Sequence, residues 1–96
     1  MESDEYQWDD AKAGDNFRKH SIRFEQAVEA CEDQFAVVDF DDSEDYDEDR
    51  YALIGQTSND LLMVVYTERN ERRRIISARK SNSYERRKYR RAMEEE

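Results

Sequence analysis

The stretch LLMVVYTERNERRRIISARK, residues 61–80, decides the fold that the sequence predicts. Its first six residues form an unbroken apolar run, which is typical of a central strand covered on both faces. The polar residues RNER follow, and RRIISAR then supplies a second segment suited to a strand. We therefore predict an antiparallel hairpin in which Asn70 and Glu71 are the two turn residues.

This turn sets the register of the predicted hairpin. It pairs Arg69 with Arg72, Thr67 with Arg74, Val65 with Ile76 and Met63 with Ala78. That face is apolar in its middle, so we expect it to meet the helices. The opposite, more polar face carries Tyr66, Glu68, Arg73, Ile75, Ser77 and Arg79. A slip of one residue would exchange the two faces, because side chains alternate along a strand.

Two further strands are predicted before the hairpin. QFAVVDF, residues 34–40, and RYALIGQT, residues 50–57, are rich in the aromatic and β-branched residues that favour strands. Between them lies DDSEDYDED, residues 41–49, which we predict to be an acidic loop. Four strands joined by short links imply an antiparallel meander.

Two helices are predicted before the first of these strands. WDDAKAGDNFRKH, residues 8–20, begins with Asp9 or Asp10 as its N-cap. In FEQAVEACE, residues 24–32, apolar residues recur at helical spacing, and Cys31 lies among them. We therefore expect Cys31 in the core and not as a nucleophile.

A third helix is predicted after the hairpin. Asn82 and Glu85 form a capping pair at its start, and we expect it to end near Met93. The sequence thus predicts one α+β domain spanning residues 1–96. This domain has two N-terminal helices, a four-stranded, mainly antiparallel sheet and a C-terminal helix.

Charge is distributed very unevenly along the chain. The 96 residues include 25 acidic and 16 basic side chains, which give a formal net charge of -9. Within residues 72–91, however, ten residues are Lys or Arg and only Glu85 is acidic. Such a local excess of positive charge is typical of a surface that binds a polyanion such as nucleic acid. A solvated helix face is the alternative interpretation.

Several classes of protein and site are excluded by what the sequence lacks. It has no apolar stretch of a secretory signal and none of the ~20 residues needed to span a membrane, so we expect a cytoplasmic protein without a membrane partner. One Cys and one His cannot build a zinc site. The acidic loop lacks the central Gly and the spacing of an EF-hand calcium site. We therefore expect neither a metal ion nor a cofactor.

The polar face of the hairpin carries groups suited to cleaving RNA. That reaction needs a base for the 2′-hydroxyl, cations for the phosphorane and an acid for the leaving 5′-oxygen, and it needs no metal. Glu68 is a candidate base, and Arg69, Arg73 and Arg79 are candidates to bind the phosphate. The imidazole is the side chain best suited to proton transfer at neutral pH in general, so His20, the only histidine, is a candidate for either transfer.

Both titratable candidates also have a purely structural interpretation. Glu68 lies among several arginines and would equally form a cross-strand ion pair. His20 and its neighbour Lys19 lie at the end of a helix, where a positive charge interacts favourably with the helix dipole. The residues alone leave both interpretations open.

Five segments together resemble a known family. WDDAKAGDNFRKH, FEQA, RYALIG, LLMVVYTER and RIISARKSNSYERRKY, in this order over about residues 8–90, resemble the BrnT-type ribonuclease toxins of bacterial type II toxin–antitoxin systems. The resemblance implies a small α+β fold similar to the RelE group of toxins and a metal-independent endoribonuclease that halts translation. It also implies a DNA-binding antitoxin of the ribbon-helix-helix type, which covers the toxin and represses their shared operon as a complex.

The resemblance also assigns positions to the site. The family's KH corresponds to Lys19 and His20, its TER to Thr67, Glu68 and Arg69, its ISAR to Ser77 and Arg79, and its final ER to Glu85 and Arg86. The predicted catalytic residues are therefore His20, Glu68 and Arg79. The predicted RNA contacts are Lys19, Arg69, Arg73, Arg74, Ser77 and Arg86. Two positions depart from the family, since Ser21 replaces its usual Gly and Arg23 its usual N-cap residue.

Three functions remain open from the sequence. The leading one is an RNA-cleaving toxin that is neutralised by its antitoxin. The others are a non-catalytic nucleic-acid or protein interaction module and a degenerate toxin that only binds its antitoxin. We also expect the acidic loop, residues 41–49, to lie near the basic residues and to compete there with RNA phosphates.

Overall fold

The computed structural model describes residues 1–41 and 48–95. In this part of the chain the elements are β1 (Tyr6–Gln7), α1 (Asp10–His20), α2 (Phe24–Cys31), β2 (Val37–Asp41), β3 (Arg50–Gln56), β4 (Leu61–Arg69), β5 (Arg72–Lys80) and α3 (Ser83–Glu94). The α+β class, the three helices and the four predicted strands are confirmed. The central part of the predicted acidic loop, residues 42–47, lies outside the described residues.

The sheet differs from the prediction at one edge. Its described strands number five, not four, in the order β1-β5-β4-β3-β2. The extra strand, β1, runs parallel to β5 and pairs Tyr6 with Arg73 and Gln7 with Arg74, so the sheet is mixed. β1 has only two residues, too few to show the alternation of apolar and polar side chains by which a strand is recognised.

The hairpin turn is confirmed, but part of the predicted register is wrong. Asn70 and Glu71 both have positive φ, 55° and 64°, as the tight turn of a two-residue hairpin requires. The predicted pairs of Arg69 with Arg72 and Thr67 with Arg74 are present. A β-bulge then shifts the register between Val65 and Tyr66, so that Val65 pairs with Ser77 and Met63 with Arg79. The predicted partners were Ile76 and Ala78.

The bulge also changes which side chains share a face. Tyr66 and Ile75, predicted on the polar face, are buried in the core, because the face that includes them packs against the helices. Beyond the bulge, Ala78 joins that core face, while Ser77 and Arg79 lie on the opposite one. An extra residue in one strand exchanges the faces of all the residues that follow it.

The helices cover the sheet on two sides and along one edge. α2 packs on the core face of β3, β4 and β5, α1 contacts β5, and α3 contacts β3. The main core is formed by Tyr6, Trp8, Ile22, Phe24, Ala27, Ala30, Cys31, Leu53, Leu62, Val64, Tyr66, Ile75 and Ala78. Cys31 is therefore a core residue as predicted, and burial raises the pKa of its thiol to about 11.

The predicted helix caps are confirmed. Asp9 is the N-cap of α1, and its carboxylate accepts hydrogen bonds from the N–H groups of Ala11 and Lys12 at 2.8 and 3.1 Å. Asn82 and Glu85 exchange side-chain-to-backbone hydrogen bonds of 2.9 Å in each direction at the start of α3. Ser21 adopts the left-handed conformation, φ 59°, at the end of α1 without the help of a glycine.

Candidate functional site

A surface pocket lies between α1 and the outer edge of β5. Its volume is about 240 Å³, and its lining residues are Lys12, Asp15, Asn16, Lys19, His20, Ile76 and Ser77. The five α1 residues share one side of the helix, because each lies three or four positions from another member of the set. We call this feature the α1–β5 pocket. It brings three predicted site residues together: Lys19, His20 and Ser77.

Asn16 fastens α1 to the edge of β5 at this pocket. Its Nδ2 donates hydrogen bonds to the carbonyl oxygens of Ala78 at 2.8 Å and Ile22 at 3.0 Å. Its Oδ1 accepts a hydrogen bond of 3.0 Å from the Ala78 N–H. The side chain thus satisfies backbone groups of β5 much as a neighbouring strand would. The contact fixes the position of α1, and with it Lys19 and His20, relative to Ser77.

Sequence reasoning missed both Asn16 and Lys12. An isolated Asn within a helix is usually assumed to face solvent, yet Asn16 is only 6 % exposed. The available signal was spacing: Lys12, Asn16, Lys19 and His20 fall at i, i+4, i+7 and i+8. A polar stripe that ends in the chain's only histidine would have indicated a functional face of α1.

Arg79 lies on β5 two residues after Ser77, on the same face of the sheet. Its guanidinium forms two parallel hydrogen bonds, of 2.9 and 2.8 Å, with the carboxylate of Glu85. Burial acts to raise the pKa of Glu85, but the hydrogen bonds from Arg79 and from the Asn82 N–H outweigh it, so this pKa lies below its usual value. The planar donor pair of Arg79 is therefore already occupied by a carboxylate.

This ion pair leads to a prediction about acid stability. Because its folded-state pKa is lowered, ionised Glu85 contributes its full stability above pH 4.5 and loses it as the pH falls through the folded value. We expect Glu85→Gln to lower the free energy of unfolding by about 2 kcal/mol near neutral pH, since hydrogen bonds to a charged group are lost.

The free energies of unfolding of wild type and Glu85→Gln should become more similar as the pH falls from 6 toward 3. Urea unfolding at several pH values measures both free energies. Glu94→Gln, which changes an exposed carboxylate on the same helix, is the matched control. A difference that stays constant across this range would contradict the lowered pKa of Glu85.

Glu68 lies in a different part of the molecule from His20. It lines a second pocket of about 390 Å³ together with Glu5, Tyr6, Cys31, Glu32, Glu71, Arg72 and Arg73. Its cross-strand partner is Arg73, whose guanidinium stands over the Tyr66 ring at 4.8 Å. Among the described residues, neither His20 nor Arg79 lines this pocket. The structure therefore does not bring the three predicted catalytic residues into one pocket.

Most arginines predicted to contact RNA are bound within the protein. Arg69 forms an ion pair of 2.9 Å with Glu48, and the guanidinium of Arg74 donates a 3.0 Å hydrogen bond to Gln7. Arg86 donates hydrogen bonds to the carbonyl oxygen of Ser81 at 2.8 Å and to the hydroxyl of Ser83 at 3.1 Å. These contacts hold the hairpin and the start of α3 in place. Only the charge of Arg69 is compensated by a carboxylate in these contacts, since the partners of Arg74 and Arg86 are neutral.

The Glu48–Arg69 contact also bears on the acidic loop. Glu48 belongs to the segment 41–49, so one end of that segment lies against a basic residue. The Thr67 hydroxyl also holds this end of the segment against β4, by donating a hydrogen bond to the carbonyl oxygen of Asp49. Competition between the loop and RNA stays a prediction, because residues 42–47 lie outside the described part of the chain.

Within residues 1–41 and 48–95, no group of three or more His, Cys, Asp or Glu side chains is placed to hold a metal ion. In the same part of the chain, no helix is both long and apolar enough to cross a bilayer.

Comparison with known proteins identifies the family. The model of a family described as the ribonuclease toxin BrnT of type II toxin–antitoxin systems matches residues 8–85. This match includes all of α1 and β5, and thus every residue that lines the α1–β5 pocket. No curated protein matches the chain. With most of its length covered, the chain belongs to the BrnT family of ribonuclease toxins of type II toxin–antitoxin systems.

Proposed function

We propose that the protein is an endoribonuclease that needs no metal ion, and that the α1–β5 pocket holds the scissile phosphate. The observation that carries this proposal is the attachment of α1 to β5 through Asn16. The only histidine, His20, thereby lines one pocket with Lys12, Lys19 and Ser77, and the carboxylate of Asp15 in the same lining is paired with Arg18. The imidazole, the two ammonium groups and the hydroxyl suit phosphate binding and proton transfer near neutral pH.

The proposed reaction is attack of the RNA 2′-oxygen on the adjacent phosphorus. The P–O5′ bond breaks, and the products are a 2′,3′-cyclic phosphate and a free 5′-hydroxyl. A base accepts the proton of the 2′-hydroxyl and an acid donates a proton to O5′, and His20 performs one of these transfers. Lys12 and Lys19 stabilise the negative charge that builds up on the phosphorane, and Ser77 donates a hydrogen bond to it.

Arg79 and Glu68 have less direct parts in this proposal. Arg79 lies two residues after Ser77, but its charge is paired with that of Glu85, so we propose that it supports the pocket and does not bind the phosphate directly. Glu68 remains a candidate base only if RNA reaches from one pocket to the other, and a variant tests this.

The proposed partners are RNA and an antitoxin of the ribbon-helix-helix type, through which the complex binds operator DNA. We also propose that the toxin acts in the cytoplasm and halts translation.

The decisive experiment measures cleavage of a mixed RNA by purified protein in EDTA. We expect His20→Ala to lower the rate by about 10²–10⁴-fold, as loss of a general acid or base does. Arg90→Ala is the control, since Arg90 is an exposed basic residue that lines neither this pocket nor the one that contains Glu68. Glu68→Ala tests whether the second pocket takes part. Cleavage only with added Mg²⁺, or full activity of His20→Ala, would disprove the proposal.

One observation favours a second candidate, a degenerate toxin that only binds its antitoxin. Arg79 is engaged by Glu85 and Glu68 lies in a separate pocket, so two of the three predicted catalytic groups are not aimed at a common phosphate. Induction of the toxin alone in a bacterial host separates the two candidates. Growth arrest supports the ribonuclease, whereas normal growth together with intact antitoxin binding supports the degenerate toxin.

A further inference from the structure

A groove lies on the other side of the sheet from the core, between α3 and the edge strand β2. It has a volume of about 450 Å³, and Val37, Tyr84 and Ala92 provide its apolar surface. A smaller hollow of about 110 Å³ continues it, shares Val37 and Ala92, and adds Phe35 and Met93. We call the two together the α3–β2 groove.

The apolar side chains of this groove are unusually exposed. Tyr84 is 65 % exposed, Met93 43 % and Phe35 37 %. Single exposed apolar residues are common on proteins, but contiguous ones that surround a groove are typical of a surface that binds a partner. Tyr84 and Met93 both lie on α3, although more than half of the twelve residues of this helix are charged.

The rim of the groove is positively charged. Arg87, Lys88 and Arg91 line it, and Glu95 is the single acidic residue among the described lining residues. Lys88 is paired with Asp39 of β2, so Arg87 and Arg91 supply the positive charge of the rim. An apolar floor with a cationic rim is complementary to a segment that is apolar on one side and acidic on its flanks.

The shape of the groove indicates the form of that segment. Its α3 residues run from Tyr84 to Glu95 at helical spacing, so they form one stripe along about three turns. At a rise of about 1.5 Å per residue this stripe is about 16 Å long. An amphipathic helix of about three turns would place its apolar residues along the whole stripe.

RNA fits this surface less well than protein does. The floor is built from Val37, Ala92, Phe35 and Met93, which provide no hydrogen bond to a phosphate or a base edge. Among the described residues, none that lines the α1–β5 pocket also lines this groove. The groove is thus a second functional surface, separate from the proposed ribonuclease site.

We propose that the α3–β2 groove binds an acidic, amphipathic helix of the antitoxin. Family membership supplies the partner, since a type II system pairs its toxin with an antitoxin. The charge of the rim and the exposed apolar stripe specify which part of that partner docks here. The proposal rests on the chain being the toxin of such a system and is independent of which residues cleave RNA.

The test measures binding of purified cognate antitoxin to toxin variants by calorimetry. We expect Tyr84→Ala, and separately the pair Arg87→Glu and Arg91→Glu, to weaken binding roughly 30-fold or more, as loss of a central contact does. Arg87→Glu and Arg91→Glu are also measured singly, and Arg90→Glu is the matched control for each, because it makes the same charge change on α3 at an exposed position that does not line the groove. Circular dichroism confirms that each variant is folded.

Growth assays complement the binding measurement. Cells that make the groove variants should still arrest, and antitoxin co-expression should rescue them less than it rescues cells with wild-type toxin. If Arg90→Glu weakened antitoxin binding as much as the groove substitutions do, general charge attraction would explain the binding and the proposal would be overturned. The proposal would also be overturned if the groove variants bound the antitoxin as tightly as wild type does. Groove variants that lose RNA cleavage but keep antitoxin binding would overturn it too. Calorimetry measures antitoxin binding and not RNA cleavage. The binding result therefore tests the groove even if the ribonuclease proposal fails.

Discussion

Replacing Asn16 with leucine is expected to lower the free energy of unfolding by about 3 kcal/mol. The side chain is buried and makes three hydrogen bonds, two of them with the backbone of Ala78. Leucine leaves the N–H and C=O groups of Ala78 and the C=O of Ile22 without a partner, and an unpaired buried polar group costs about 1–3 kcal/mol. No strand covers β5 at this point in the described structure, so no neighbouring backbone replaces the lost bonds.

The midpoint of urea unfolding measures this loss. Asp15→Ala is the matched control, because Asp15 is exposed and its surface ion pair with Arg18 contributes less than about 1 kcal/mol. If Asn16 positions the α1–β5 pocket as proposed, RNA cleavage by Asn16→Leu should also fall under conditions in which the variant is fully folded. An Asn16→Leu protein as stable as Asp15→Ala would show that α1 is held mainly by other contacts.

The second large effect is expected at Gly55. Gly55 lies in β3 under α2, and an added Cβ would stand 2.1 Å from the carbonyl oxygen of Ala30. The obstacle is helix backbone, which cannot rotate away as a side chain can. Gly55→Ala should therefore separate α2 from the sheet and cost about 3 kcal/mol or more, at the upper end for overpacking.

Gly14 provides a control by the same substitution. It lies within α1, where the nearest atom to an added Cβ is the flexible end of Arg18 at 3.7 Å. Gly14→Ala should thus raise the free energy of unfolding by about 1 kcal/mol, because alanine favours a helix interior. Thermal unfolding of both variants checks that Gly55→Ala lowers the stability and Gly14→Ala raises it. A Gly55→Ala protein with wild-type stability would mean that α2 moves away from β3 at little cost.

The order and type of the longer elements could be predicted from the sequence because local signals agreed. The apolar run at residues 61–66 marked a central strand, and Asn70 with Glu71 marked the turn. Asp9 and Asn82 marked the starts of two helices by a side-chain oxygen at the N-cap. In each case the signal and the structural feature involve neighbouring residues.

The β-bulge could not be predicted because the sequence fits two registers equally well. Ile75 and Ile76 are both apolar, so either can face the core, and alternation alone does not choose between them. The choice depends on α2 packing over Tyr66, a contact distant in sequence. The bulge also explains why two predicted catalytic residues lie apart, because it puts Glu68 and Arg79 on opposite faces of the sheet.

The Arg79–Glu85 pair shows a different limit of sequence reasoning. Both residues were singled out, but a guanidinium bound to a carboxylate and one free to bind phosphate have the same sequence signature. Asn16 shows a third limit, since its role depends on an open strand edge that only the folded chain reveals. In each case the function of a polar side chain is set by its partner.

The hydrogen bonds between Asn16 and Ala78 join residues 62 positions apart. A ribosome makes the chain from α1 toward β5, so His20 is synthesised long before Ser77 exists. The hairpins of the meander close locally and early, whereas the attachment of α1 must wait for the last strand. An unfinished chain therefore carries His20 and the two lysines of α1 without Ser77, the part of the proposed phosphate site that lies on β5. If the α1–β5 pocket cleaves RNA as proposed, this late assembly delays the activity until translation of the toxin itself is nearly complete.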